Sequence, residues 1–463
     1  MQLVKLISRR TLLRMALTLA AALPASAILV SQSEAQTESV LYRFQGGSDG
    51  ANPQASLIAD SAGNLYGTTT YGGGSPLCVV FAGKTAGCGT VFELSPNSSG
   101  LWMETVLYRF EGGSDGGEPV AGLVMDGKGN LYGTTVYGGG SQCNRTGCGT
   151  VFQLTPPASQ GGAWTEALLY SFQGGNDGSG PQGNLVFDQS GRLYGTTTTG
   201  GGSANCPANG GCGTIFQLAP PAVSGGLWAE TVLYSFNGAT GALPFAGLAF
   251  DKKGNLYGTT YIGGLGPSGG TVFRAIPPAT SGSWTVKVLH SFQRGNDGGT
   301  VVAGVILDAA GNVYGTTLYG GGGRCYNGGQ FGCGTVFELS PPSTPSGAWS
   351  EDQIVTFPAG RDGRYPEGGL IFDGNGNLYG TTALGGGGGL YGDVFQLTPP
   401  AQDGGSWTRN VLYDFQGGSD GRNPQGSLLL MGGLLYGTTN IGGDVACSVN
   451  GGQGCGTIFK VIP

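Results

Sequence analysis

The chain has 463 residues, 96 of them glycine and 24 proline, with 11% charged and 10% aromatic side chains. So much glycine excludes a mainly helical fold, since each costs about 1 kcal/mol in a helix interior relative to alanine. The aromatics argue against a solvated coil, and the lack of a three-residue glycine period excludes collagen. What remains is a turn-rich β protein, whose net charge of −7 leaves no basic footprint for nucleic acid.

The first predicted element is an export signal over residues 1–36. Lys5, Arg9, Arg10 and Arg14 form a basic start, an apolar run extends from Met15 to Leu23, and Pro24-Ala25-Ser26-Ala27 supplies small residues for cleavage. The string from Ser8 to Arg14 resembles a twin-arginine signal. Cleavage is expected after Ala27 or Ala35, giving a periplasmic or extracellular protein. The apolar run is shorter than the roughly 20 residues that span a bilayer, so no stable membrane span is expected after cleavage. Loss of residues 1–35 leaves 17 basic and 27 acidic side chains.

Residues 37–463 are expected to form one domain of tandem repeats. Tyr-Gly-Thr-Thr begins at Tyr66, Tyr132, Tyr194, Tyr257, Tyr314, Tyr379 and Tyr436, at spacings of 57 to 66 residues. The second copy shows the frame. A Gly-Leu-Val-Met strand ends at Met125, a turn runs from Asp126 to Asn130, and the Tyr132 strand follows. Then come Gly149-Thr-Val-Phe152, Pro156-Pro157 and a strand containing Trp164. Four short strands of β-branched and aromatic residues, bounded by turn residues, mark a β-propeller blade. A β-solenoid would have shorter coils. The expected fold is therefore all-β: a seven-bladed β-propeller of four-stranded antiparallel blades, with the Gly-Leu-Val-Met strand innermost and the Trp strand outermost. The first strand after the signal, about residues 38–44, is an outermost strand without a blade, and the chain ends on a third strand without a fourth. The two are expected to join and close the ring, removing exposed sheet edges.

Asn64-Leu-Tyr-Gly-Thr-Thr69, Gly149-Thr-Val-Phe152 and Trp228-Ala-Glu-Thr-Val-Leu-Tyr234 resemble the GloVer-type tandem repeat of exported bacterial proteins. The resemblance covers almost all of the chain after the signal. It implies a propeller-like repeat in secreted or surface proteins and supplies no reaction, so no catalytic residue follows from it.

The ten cysteines fall into five local pairs: Cys78/Cys88, Cys143/Cys148, Cys206/Cys212, Cys325/Cys333 and Cys447/Cys455. Repeats four and six lack both members. An exported chain with an even, locally paired set predicts disulfides between the second and third strands. Zinc would have to recruit cysteines from different blades, and no CxxC spacing supports redox chemistry. No metal or other cofactor is expected.

Most recurring residues read as structural. The six tryptophans share one repeat position, where packing of outer strands competes with sugar stacking. His290, the sole histidine, replaces a repeated tyrosine and reads as a packing substitution rather than the base of a Ser-His-Asp triad. Asp49, Asp115, Asp177, Asp297, Asp362 and Asp420 recur in a glycine-rich loop; a turn role is favoured over calcium, which takes about six to eight oxygens. The Asp60, Asp126, Asp188, Asp251, Asp308 and Asp373 series reads as turn-forming.

A functional site is therefore sought where repeats differ. Just after the proline slot stand Gln54, Val120, Gln182, Phe245, Val302, Glu367 and Gln425, a ring expected at the mouth of the central channel. Glu118, Arg361, Arg364 and Arg422 lie nearby in sequence. Such a set is suited to hydrogen-bonding a glycan or a peptide end. The expectation is a noncatalytic binding or structural scaffold. The alternative is an extracellular hydrolase or lyase acting on a polysaccharide through Glu118 and Glu367, and a quinone- or metal-dependent redox propeller is a third reading.

Overall fold

A computed structural model describes residues 38–463, apart from short stretches at 81–83, 141–142, 144–145, 160, 204, 207–209, 224, 266–268, 323–324, 328–329, 345–346, 359–362, 386–389, 403, 445–446 and 448–453. Residues 37–463 form one compact unit. The export signal expected over 1–36 lies outside the described residues, as do Arg361 and Asp362.

Seven four-stranded antiparallel sheets follow one another around the ring. Blade two shows the pattern: Val124–Met125, Leu131–Thr135, Thr150–Thr155 and Thr165–Ser171 run in that order from inside to outside. The expected ring closure is present, with Glu38–Arg43 pairing antiparallel to Thr457–Val461 as the fourth strand of blade seven. The innermost strand is shorter than expected. Only two residues of it ladder in blades one to six, because the residues before them crowd against neighbouring blades at the axis. A methyl added at Gly183 would overlap the Ala246 carbonyl.

The repeated motif explains how blades stack. The glycine of Tyr-Gly-Thr-Thr leaves room for the third-strand phenylalanine, as Gly67 does for Phe92. Except in blade two, where Thr134 Oγ1 has no partner, the first threonine hydroxyl donates to the inner backbone of the next blade, as Thr68 does to Ala121 O at 2.9 Å and Thr438 to Ala55 O at 3.0 Å across the closure. The second meets a third-strand threonine, as in Thr69–Thr90 at 2.8 Å. Trp102, Trp164, Trp228 and Trp407 each pack edge-on against the tyrosine of the preceding blade, Trp164 on Tyr66 at 6.3 Å. These contacts bury a phenylalanine, tyrosine and leucine cluster between successive blades.

All five cysteine pairs are disulfides, with Cα–Cα distances between 5.1 and 5.6 Å. The turn aspartates act as the sequence suggests. Asp126 accepts from the backbone of Lys128 and Asn130, from the Asn130 amide, and from the Tyr132 hydroxyl. In the glycine-rich loops, Asp115 accepts from Glu111 N at 2.8 Å and from the Tyr108 hydroxyl at 3.2 Å. No helix among the described residues is long and apolar enough to cross a membrane.

Candidate functional site: the channel mouth

Each repeat delivers one side chain to the channel mouth through the same device. The residue before the proline slot takes a left-handed backbone, with φ of 58° at Asn52, 57° at Glu118, 56° at Leu243 and 59° at Tyr365. That region is disfavoured for residues bearing a Cβ, by about 1–2 kcal/mol. It is held by an N–H donated to the carbonyl of the second cysteine: Asn52 to Cys455, Glu118 to Cys88, Leu243 to Cys212 and Tyr365 to Cys333, at 2.8 to 3.0 Å. The disulfide loop thus clamps the turn that aims the next residues inward. In the repeats lacking cysteine, Thr300 and Asn423 donate instead to Gly269 O and Tyr391 O.

The mouth is a cavity of about 150 Å³. It brings together the expected Gln54, Gln182, Phe245, Glu367 and Gln425, with Val120 and Val302 completing the ring. Gln425 Nε2 donates to Glu367 Oε2 at 2.6 Å between blades six and seven. Gln54 donates to Thr70 Oγ1 at 2.8 Å. Phe245 packs edge-on against Tyr261. Burial pushes the Glu367 carboxyl up from its ordinary range, opposed by the Gln425 bond.

The floor was missed by the sequence reading. Two residues further along, the repeats carry Ser56, Gly122, Asn184, Gly247, Gly304, Gly369 and Ser427, all but Gly122 lining the cavity. Asn184 Oδ1 accepts from Gly122 N at 2.7 Å, and its Nδ2 donates to Ser56 Oγ at 3.2 Å. One side chain therefore ties blade three to blades one and two at the axis, and the mouth is floored by this bridge. The signal was available, because Asn184 is the sole large residue in a slot otherwise held by glycine or serine.

The other candidates stand apart. Glu118, Arg364 and Arg422 do not line the cavity. Burial raises the Glu118 carboxyl, and partial desolvation together with the Glu118 charge raises the hydroxyl of the exposed Tyr137. Arg364 lies over the Tyr365 ring at 5.6 Å, and Arg422 bridges Ile441 through its backbone. Glu118 and Glu367 are therefore not joined in the mouth, where Glu367 is the single carboxylate among the lining residues. Among the described residues no group of three or more His, Cys, Asp or Glu is placed to hold a metal ion.

The Gloeobacter/Verrucomicrobia repeat model matches residues 74–326 and 323–463. The chain belongs to that family. The match covers the mouth residues from Val120 onward, not Gln54 to Ser56 of blade one, and includes the repeat strings at Gly149 and Trp228. No curated protein matches the chain. Among solved structures, a luciferin-regenerating enzyme aligns over 92% of this chain and 95% of its own, at 11% identity and a TM-score of 0.41.

Proposed function

We propose that this family member is an exported, noncatalytic repeat propeller serving as a binding scaffold, which takes a hydrogen-bonding group of a glycan or peptide into the channel mouth. The carrying observation is the mouth's composition: a position that differs between repeats converges on one cavity, as three glutamines, one carboxylate and one phenylalanine over an asparagine-bridged floor. Few, well-placed polar groups beside an aromatic ring suit recognition. A lone lining carboxylate does not supply the acid/base pair of glycoside hydrolysis. The basic start and apolar run of residues 1–36 and the five disulfides support placement in an oxidising compartment outside the cytoplasm.

A glycan and peptide array with the mature protein tests this reading. The expected result is a restricted set of ligands whose affinity falls about tenfold or more in Glu367→Gln or Phe245→Ala, since a hydrogen bond to a charged group contributes about 1.5–3 kcal/mol. Ligands bound equally by both variants, or none at all, would refute the mouth as the docking place.

A further inference from the structure

Blade four carries cations that its neighbours lack. Arg274 and Lys287 stand directly opposite each other across the third and fourth strands. The same two positions hold Gln153 and Ala167 in blade two, Gln217 and Thr231 in blade three, and Gln396 and Asn410 in blade six. Like charges directly opposite each other weaken a sheet, so folding does not favour this pair. The ion pairs among the described residues are Arg192–Asp188, His290–Asp297 and Arg409–Asp393, and none uses it. Lys253 adds a third cation from the hairpin before Leu256–Thr260, where it is exposed.

These three side chains line one wall of a groove of about 670 Å³. Its other wall is Pro341, Pro342 and the half-buried Trp349 of the next repeat. The equivalent groove one junction further on, about 570 Å³, keeps the two prolines and Trp407 but has Glu338 and Asp352 where blade four has Arg274 and Lys287. The groove is thus a product of the repeat, and its charge belongs to one junction.

We propose that this groove binds an acidic polysaccharide, with Lys253, Arg274 and Lys287 meeting its carboxylate or sulfate groups and Trp349 and the prolines meeting its sugar faces. Cations give charge-assisted hydrogen bonds to such anions, and a ring edge with apolar neighbours suits the C–H face of a sugar. A nucleic acid fits less well, because it needs a basic stripe and the chain beyond the signal has 27 acidic against 17 basic residues. The site is separate from the channel mouth and does not depend on it.

Gel retardation of the mature protein in polygalacturonate, dextran sulfate, neutral dextran and duplex DNA tests the proposal. Retardation is expected with an anionic polysaccharide and weakens as salt rises. Response to polygalacturonate alone assigns the anion as carboxylate, and response to dextran sulfate alone assigns sulfate. A Lys253→Ala/Lys287→Ala variant should lose about tenfold or more in affinity, both side chains being exposed and outside the core. Lys128→Ala, at the same hairpin position in blade two, should bind as the unaltered protein does. The proposal is overturned by undiminished binding in the double variant, by equal retardation in neutral dextran, or by stronger retardation in DNA. It is also overturned by salt-sensitive oligomers that disappear in Glu338→Gln/Asp352→Asn, which would assign the groove to a second copy of this chain.

Discussion

Blades four and six both lack the cysteine pair and both break the repeat with charge, in opposite places. In blade six Asp393 takes the third-strand threonine slot opposite Thr382, and Arg409 takes the slot held by Glu104, Glu166 and Glu230 elsewhere. The two departures meet: Arg409 donates to Asp393 Oδ2 at 2.9 Å, with Asp393 fully buried and the guanidinium 5.1 Å from the Phe357 ring centre. In blade four Arg274 and Lys287 face each other with the same sign, Lys287 exposed and Arg274 half-buried with a hydrogen bond to Tyr257. A departure that is buried and answered by a partner serves the fold. One that no ion pair answers and that lines an open groove is available to a ligand.

The largest effect should come from breaking the buried departure. Arg409→Met strands Asp393 in the core, and removing one member of a buried pair costs about 3–5 kcal/mol. Restoring an uncharged interior with Asp393→Thr/Arg409→Met should recover most of that loss, since replacing a whole buried pair is often neutral or stabilising. Urea denaturation of the single and double variants measures both. Equal loss in the two would mean that shape rather than charge pairing holds this part of blade six.

Next in size are the disulfides that blades four and six do without. Cys143→Ser/Cys148→Ser should cost about 2–3 kcal/mol by the loop-entropy argument. It should also loosen the turn at Gly180, whose N–H donates to Cys148 O at 2.8 Å, and with it the aim of Gln182. Amide exchange should quicken at Gly180 and Thr198, which bonds back to the Gly180 carbonyl. If exchange there is unchanged, the clamp adds stability without positioning the mouth.

Much of this was legible in the sequence. Turn spacing around Asp126 and Asn130 gave the strand order, the unpaired strands at the two ends of the repeat array gave ring closure, and the position after the proline gave the mouth. The Arg274–Lys287 pairing was not legible. Every blade's outer ladder has a bulge, in blade four between Val272 and Phe273, and a bulge shifts the register that residue counting would assign. The Asn184 bridge was hidden for another reason, because it depends on how closely seven backbones approach the axis. The Asp393–Arg409 pair was also missed, since each residue taken alone resembles an ordinary surface substitution.

The smallest expected effect concerns the junctions between blades. Glu104 faces Asp49, Glu166 faces Asp115, Glu230 faces Asp177 and Glu38 faces Asp420, and burial together with the neighbouring aspartate pushes each glutamate up to about 7. Between blades three and four both carboxyls are gone: Thr240 stands in the aspartate slot, accepting the Tyr234 hydroxyl, and Val286 in the glutamate slot. Between the ordinary glutamate range and about 7 the folded ring holds more protons than the unfolded chain, so stability should fall as pH rises through that window. Each glutamate is only about half buried, and solvent screening keeps each contribution below about 1 kcal/mol. Below this window the slope should reverse. Burial works upward on Asp60, Asp126 and Asp373, but hydrogen bonds from Asn64, Asn130 and Asn377 and their neighbours outweigh it and hold these carboxyls low. Their contribution is lost as acid protonates them. Melting temperatures across this range should therefore pass through a maximum on the acid side of neutrality. Glu104→Gln/Glu166→Gln/Glu230→Gln should flatten the neutral limb and leave the acid limb in place. A neutral limb of undiminished slope in that variant would move the pH dependence away from the junctions, and blade four's Thr240 and Val286 would then have lost nothing that titrates.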